Sequence, residues 1–81
     1  MKAVVTVTLK PDVLDPQGQA IQKACLSLGH EGVRGVRQGK HFEIDLDASD
    51  PEQARALLAE LGDKLLANPV IEDFEVELDA G

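Results

Sequence analysis

Two aspartate–proline pairs divide this 81-residue chain into two similar halves. Asp15-Pro16 and Asp50-Pro51 each stand between a strand-like run and a run with helical periodicity. Aspartate is a favoured N-cap because its carboxylate accepts backbone N–H groups, and proline fits the first helical position because no N–H is needed there. The two pairs therefore predict two helix starts, each inside its own strand–helix–strand unit.

The first half has a clear strand and a clear helix. Residues 3–9 alternate in the way typical of a strand, and Pro11 closes this strand because it has no N–H to donate. Residues 21–28 carry apolar side chains at i, i+3, i+4 and i+7, which predicts an amphipathic helix. Gly29 is the expected end of that helix.

The second half predicts a hairpin, a helix and a last strand. The hairpin covers residues 33–46, with Gln38-Gly39 as its tight turn because glycine tolerates a positive φ. Apolar residues from Ala54 to Leu65 give the second helix its stripe, and Asn68-Pro69 ends it. Residues 74–78 alternate as the final strand.

This order predicts an α+β fold of the β-α-β-β-α-β, ferredoxin-like kind, in one domain over residues 1–81. Two helices would cover one face of a four-stranded antiparallel sheet. The other face carries acidic side chains and is expected to be partly solvated or partly covered by a second subunit. Two Phe, no Trp and no Tyr make a thin core, so a dimer or a larger partner is expected.

Charge is unevenly distributed along the chain. Residues 1–42 hold six Lys/Arg against three Asp/Glu, and residues 43–81 hold two against twelve, for a net charge of -7. Such an acidic chain, without an aromatic stripe, argues against nucleic acid as a partner. No apolar run has the length of a membrane helix and no signal-peptide pattern is present, so we expect a cytoplasmic protein without a membrane partner.

A search for catalytic or metal-binding patterns finds none. Cys25 lies on the apolar stripe of the first helix and is interpreted as a buried core thiol. His30 and His41 with one cysteine do not have zinc-site spacing. Asp45 and its acidic neighbours lack the glycine and the glutamate of a calcium loop, and no glycine-rich phosphate loop occurs.

Two stretches remain open to more than one interpretation. Arg34, Arg37, Lys40 and His41 surround the predicted hairpin turn, either as ordinary surface residues or as an electropositive tip that docks an acidic partner or an anion. Gly18 in the first helical turn either lets another backbone approach closely or is simply a tolerated glycine.

The motifs of the chain, taken together, resemble a known family. They are V-x-V-x-L-K-P with Lys10-Pro11, V-L-D-P-Q-G-x-A-I at 13–21, Leu28-Gly29, V-R-x-G-K at 36–40 and N-P-V-I-E-D at 68–73. In this order and spacing the chain is similar to PurS, the small subunit of multi-subunit phosphoribosylformylglycinamidine synthase, over nearly its whole length.

The resemblance implies a non-catalytic subunit that bridges the glutaminase PurQ and the synthetase PurL and supports ammonia transfer between them. It implies no cofactor on this chain, with ATP and Mg²⁺ on the synthetase, and self-association as a dimer. The candidate partner-contact residues carried over by position are Lys10, Pro11, Asp15, Pro16, Gln17, Gly18, Arg37, Gly39, Lys40, Asn68, Pro69 and Glu72.

Two other classes of function are weighed against this one. A small dimeric metabolite-sensing domain is compatible with a β-α-β-β-α-β fold, although no anion-binding loop supports it. A small hydrolase would need a nucleophile beside a base, and the sequence offers no such pair.

Overall fold

The computed structural model describes residues 1–79, so Ala80 and Gly81 of the predicted 1–81 domain lie outside the described part. The strands are β1 (Lys2–Leu9), β2 (Gly39–Asp45) and β3 (Glu72–Asp79). The helices are α1 (Pro16–Ser27) and α2 (Pro51–Leu61), and α2 continues into a π-helical turn, Gly62–Leu66. The predicted α+β class is confirmed.

Within residues 1–79 the sheet has three strands in the order β2-β1-β3, and both pairings are antiparallel. Val5 at the centre of β1 lies opposite Phe42 on β2 and Val76 on β3. Its neighbours alternate between the two faces of the sheet, as strand side chains do. One face therefore carries Ala3, Val5 and Val7, and the other carries Val4 and the acidic side chains of the edge strands.

The prediction of four strands is wrong, because residues 33–38 do not form a strand. Gln38-Gly39 is not a tight turn: Gly39 opens β2, and Gly29 is the residue with a positive φ among the described glycines. Segment 33–38 instead runs beside α1, held there by polar contacts with the start of that helix. A Cβ on Gly39 would lie 2.6 Å from the carbonyl oxygen of Val7, so close packing explains this glycine.

Both aspartate–proline pairs begin helices, as predicted. The Asp15 side chain accepts the N–H of Gly18, and the Asp50 side chain accepts the N–H of Glu52. Gly29 follows α1 with φ +93°, and the N–H of His30 reaches back to the carbonyl of Cys25. This is the hydrogen-bond pattern that ends a helix at a left-handed glycine.

The core lies between the inner face of the sheet and α2. Leu58 of α2 is fully buried against the central strand, and Ala54 one turn earlier is almost as buried. Phe74 packs over Gly62, where an added Cβ would lie 2.6 Å from the aromatic ring. The buried cluster comprises Ala3, Val5, Val7, Leu58 and Ala67, with half-buried Phe42, Ile44, Leu46, Leu61, Leu66, Phe74, Val76 and Leu78 around it.

Helix α1 contributes little to this core. Among the described residues it makes no extensive contact with a strand or with α2. Its apolar stripe is therefore exposed: Ile21 is 43% and Leu28 is 76% accessible. Cys25 is half-buried on α1 rather than buried in the core, so the prediction of a core thiol is wrong. The radius of gyration is 16.0 Å, against about 12 Å for a compact chain of this length.

Candidate partner-contact site

Three strand ends meet at one end of the sheet, where β1 finishes at Leu9 and β2 and β3 begin. We call this region the Lys10 end and define it as residues 10–18, 36–40 and 67–73. The antiparallel pairings bring these three segments together, although they are far apart in sequence. All twelve predicted contact residues lie at the Lys10 end.

Lys10 links β1 to the start of β3. Its backbone N–H donates to the carbonyl of Ile71 at 2.9 Å, and its ammonium lies 2.7 Å from a carboxylate oxygen of Asp73. Its carbonyl accepts the N–H of Val13 at 2.9 Å and the guanidinium of Arg37 at 3.2 Å. Arg37 also donates to the carbonyl of Leu9. Lys10 and Arg37 thus hold the end of β1 from two sides.

Asp15 joins α1 to the segment that leads into β2. Its Oδ1 accepts the N–H of Gly18 at 2.9 Å, and its Oδ2 accepts the N–H of Gln38 at 2.8 Å. The N–H of Gln38 is the largest cause that lowers the pKa of Asp15 below its ordinary value, followed by the N–H of Gly18, with Arg37 adding to them. The side-chain amide of Gln38 also donates to the side-chain oxygen of Gln17, so Gln38 has two hydrogen bonds to the start of α1.

Gly18 is the buried residue of α1, and its surroundings explain why it is glycine. A Cβ at this position would collide with the carbonyl oxygen of Val36 and would lie 2.6 Å from Oδ2 of Asp15. The backbone that approaches Gly18 is therefore the chain's own segment 33–38. A backbone does approach this glycine closely, as one of the two interpretations expected, but it belongs to the same chain.

Glu72 ties the turn before β3 to the start of β2. Its Oε1 accepts the N–H of Asn68 at 2.7 Å, and its Oε2 lies 3.9 Å from the ammonium of Lys40. The side-chain oxygen of Asn68 accepts the N–H of Val70 at 3.0 Å, which shapes the turn that includes Pro69. The Glu72 side chain is mostly shielded, with 14% accessibility, whereas that of Lys40 is 62% accessible.

The hairpin turn that the basic residues were expected to surround is absent, and three of these residues make different contacts. Arg37 donates to main-chain carbonyls, and Lys40 lies beside Glu72. His41 lies 3.5 Å from Glu43 on the same strand, outside the Lys10 end. Cations and anions at the Lys10 end are thus largely paired with each other or with the backbone.

Sequence reasoning missed Gln38, which donates from both its backbone and its side chain. No sequence pattern marks this residue, since its importance depends on where Asp15 lies in the fold. It also missed the exposed apolar residues of the same region: Leu14 is 64% and Val70 is 78% accessible. These two lie within the quoted motifs and could have been noted as apolar residues in turns.

Metal-ligand types are scattered over the described residues. No group of three or more His, Cys, Asp or Glu side chains within residues 1–79 is placed to hold a metal ion. No helix in the same part of the chain is both long and apolar enough to cross a bilayer.

Comparison with known sequences identifies one family. The family model described as PurS, phosphoribosylformylglycinamidine (FGAM) synthase, matches residues 2–80. The phosphoribosylformylglycinamidine synthase subunit PurS of Mycobacterium leprae is 49% identical over 75 residues, which cover 93% of this chain and 91% of that protein. The PurS subunit of Bacillus subtilis is 45% identical over 78 residues, which cover 96% of this chain and 92% of that protein.

Solved structures agree with the sequence comparison. The Bacillus subtilis PurS structure superposes with a TM-score of 0.86 at 45% identity, covering 96% of both chains. Methanocaldococcus jannaschii PurS, a subunit of formylglycinamide ribonucleotide amidotransferase, superposes with a TM-score of 0.87 at 38% identity. The match covers 96% of this chain and 94% of that chain. A chain of the PurLQS structure from Thermotoga maritima superposes with a TM-score of 0.86 at 29% identity. The match covers 94% of this chain and 93% of that chain.

Proposed function

The chain belongs to the PurS family, whose members are subunits of FGAM synthase in purine biosynthesis, and we propose that it bridges the synthetase and glutaminase subunits of that complex. It is an accessory subunit of that synthase, and the role that we propose for it is assembly. The alternative of a metabolite-sensing domain lacks comparable support.

The observation that carries the proposal is the convergence of the family's motif residues on the Lys10 end. These residues come from four separate motifs, and the fold assembles them on one surface through the Lys10–Asp73, Asp15–Gln38 and Asn68–Glu72 contacts. Leu14 and Val70 are exposed within the segments that form the Lys10 end. Apolar side chains beside a rigid polar framework are typical of a surface that another protein covers.

The proposed division of labour leaves the reaction to the partners. The glutaminase PurQ releases ammonia from glutamine. The synthetase PurL, with ATP and Mg²⁺, activates the amide oxygen of formylglycinamide ribonucleotide and accepts the ammonia. This chain binds neither cofactor and keeps the two subunits in register, so that ammonia reaches the synthetase instead of the solvent.

A second copy of the chain is the remaining proposed partner. Helix α1 leaves Ile21, Leu26 and Leu28 exposed, with Leu28 the most accessible of the three. Burial of apolar area is favourable by about 25 cal/mol per Å², so a helix stripe of this kind is stabilised by a partner surface. The half-buried inner face of β2 is a surface of matching character.

The acidic charge bears on the other expected partners. With a net charge of -7, the chain would be repelled by phosphate backbones and by anionic lipid surfaces. We therefore propose that it acts in the cytoplasm with protein partners alone, and not on nucleic acid or membranes.

A three-component binding experiment tests the bridging role. The synthetase and the glutaminase are mixed with and without this chain, in the presence of glutamine and Mg-ADP, and separated by size-exclusion chromatography. We expect the glutaminase to co-elute with the synthetase when this chain is present and to elute alone when it is omitted. Equal co-elution in both mixtures would contradict bridging.

A further inference from the structure

The turn before β3 carries the most accessible large apolar side chain within residues 1–79. This turn comprises residues 68–71, and its Val70 is 78% accessible, with Ile71 beside it at 39%. None of residues 68–71 belongs to the buried cluster of the core or to the side chains around it. A polar residue at position 70 would leave the core packing unchanged, so the fold itself does not explain the valine.

Hydrogen bonds fix the backbone of this turn from both sides. The carbonyl of Asn68 accepts the N–H of Ile71 at 3.1 Å and the N–H of Glu72 at 2.7 Å. The side chain of Glu72 accepts the N–H of Asn68, and the side-chain oxygen of Asn68 accepts the N–H of Val70. The carbonyl of Ile71 accepts the N–H of Lys10, which ties the turn to the end of β1. Val70 is thus presented on an ordered backbone.

An ordered turn favours binding through the side chain that it presents. Association usually has to immobilise the loops and side chains that it buries, and this loss of freedom opposes binding. In turn 68–71 the backbone is already held in the free chain, and the branched side chain of Val70 has few rotamers to lose. An exposed aliphatic side chain on such a backbone is the arrangement expected of an anchor that fills a pocket in a partner.

A hollow of about 380 Å³ opens directly beside the turn. Ala67 and Pro69 form part of its wall, so the hollow and the turn belong to one continuous surface. Its charged lining consists of three carboxylates and one ammonium, from Asp63, Glu72, Asp73 and Lys10. The hollow is therefore negatively charged overall.

Asp63 is the carboxylate that leaves this charge unbalanced. Lys10 is paired with Asp73, and Lys40 lies 3.9 Å from Glu72. Asp63 is exposed and, within residues 1–79, forms no ion pair. A carboxylate in this position attracts a cationic side chain, and a guanidinium can contact it through two parallel hydrogen bonds.

We propose that Val70 is the anchor through which the Lys10 end binds a partner subunit, and that the partner surface offers an apolar socket next to a basic side chain. Val70 enters the socket, and the basic side chain enters the hollow and contacts Asp63. The two contacts interlock because the hollow borders the turn. The inference rests on the bridging function proposed above and names the residues that make the contact.

The proposal gives Asn68 a role that differs from direct contact. Its N–H, its carbonyl and its side-chain oxygen all bond within residues 68–72. Asn68 is therefore a positioning residue that acts through Val70, whereas Val70 itself touches the partner.

Binding titrations test the anchor. The labelled full chain is titrated with the mixed synthetase and glutaminase, in the presence of glutamine and Mg-ADP. We expect Val70→Ser to weaken binding about tenfold, because the apolar contact in the socket is lost. Leu65→Ser is the matched control, since Leu65 is 73% accessible and lies outside the Lys10 end. Leu65 also follows Asp63 by two positions in the helical turn, so the two side chains do not face each other. Its substitution should change binding less than about twofold.

Val70→Thr covers the case in which Val70→Ser fails to fold. Threonine keeps the branched shape of valine and the backbone bonds of the turn, but it places a hydroxyl in the apolar socket. We expect an unchanged melting temperature and binding that is about fivefold weaker. Binding at the wild-type affinity would contradict the anchor.

Charge reversal tests the hollow. We expect Asp63→Lys to weaken binding about tenfold, and more strongly at low salt, because it opposes the basic side chain of the partner. Glu75→Lys is the control, with the same change of charge at an exposed position of β3. If both substitutions have the same effect, binding responds only to net charge and the contact with Asp63 is wrong.

A double substitution tests the positioning role of Asn68. Asn68→Ala should accelerate amide hydrogen exchange at Val70 and weaken binding about threefold. In the Val70→Ser chain the same substitution should cause no further loss of binding. Losses that multiply would show that Asn68 contacts the partner itself.

The same titrations separate the anchor from the bridging function. If the wild type binds and Val70→Ser binds no more weakly than Leu65→Ser, the anchor is wrong and bridging stands. If the wild type does not bind the mixed subunits, bridging is wrong and the anchor falls with it.

Discussion

The backbone N–H of Gln38 donates to Oδ2 of Asp15 at 2.8 Å, and this contact fixes the entry to β2 against the start of α1. Asp15 is also the N-cap of α1, through its Oδ1 and Gly18. One carboxylate thus performs two tasks, a local one that the sequence reveals and a long-range one that it does not.

Replacing Asp15 should therefore cost more than replacing an ordinary helix cap. Asp50 is the matched control, because its side chain caps α2 through Glu52 without a long-range partner of the same kind. We expect Asp15→Ala to lower the melting temperature more than Asp50→Ala and to accelerate amide hydrogen exchange at Gln38. Equal melting temperatures and unchanged exchange at Gln38 would show that the second contact contributes nothing.

The lowered pKa of Asp15 predicts a pH dependence of the same contact. A carboxyl whose folded pKa lies below its ordinary value of 3.8 stabilises the fold fully above that value. The contribution is lost as the pH falls through the folded pKa. The free energy of unfolding should therefore be measured for the wild type and for Asp15→Asn between pH 7 and 3. We expect the wild type to be more stable than Asp15→Asn at pH 7 and to lose this advantage as the pH falls. An advantage that persists or grows on acidification would contradict this assignment.

Gly62 is predicted to be required by Phe74. An added Cβ would lie 2.6 Å from the ring, whereas one on Gly35 would meet no atom within 4 Å. We expect Gly62→Ala to destabilise the fold by about 1–3 kcal/mol, because overpacking exceeds the gain in helix propensity. Gly35→Ala should change stability little in the same urea titration. Combining Gly62→Ala with Phe74→Leu should recover part of the loss, and strictly additive effects would argue against the contact.

Lys40 is predicted to contribute to assembly with the partner subunits. Its ammonium is exposed beside Glu72 at the Lys10 end, while Lys64 is an exposed lysine beside Glu60, in the π-helical turn after α2 and outside the residues that define the Lys10 end. We expect Lys40→Ala to weaken binding to the complex about threefold, more strongly at low salt, with Lys64→Ala as the unaffected control. Equal binding by both variants, measured by titration at two salt concentrations, would remove Lys40 from the contact surface.

Local chemistry made part of this fold predictable. Asp15-Pro16 and Asp50-Pro51 located both helix starts, because an N-cap and the proline after it act within a few residues. The alternation in β1 located the central strand for the same reason. The twelve residues that the family's motifs named lie in three segments that the strand ends bring together, and their role as partner contacts stays a prediction.

Long-range contacts explain the failures. Val33 and Val36 suggested a strand, but segment 33–38 is held elsewhere. Gln38 donates to the carboxylate of Asp15 at the start of α1, and Arg37 donates to the carbonyls of Leu9 and Lys10 at the end of β1. The apolar stripe of α1 suggested a helix packed in the core, yet Ile21 and Leu28 remain exposed in the single chain. Periodicity shows that a face is apolar and does not show which surface, or which copy of the chain, covers it.

The central claim is that this chain couples two active sites without performing chemistry. The most direct test is the rate of FGAM synthesis by the synthetase and glutaminase, with and without this chain, using either glutamine or free ammonia as the nitrogen source. The account predicts that glutamine-dependent synthesis requires the chain and that ammonia-dependent synthesis does not. A glutamine-dependent rate that is unchanged when the chain is omitted would contradict it.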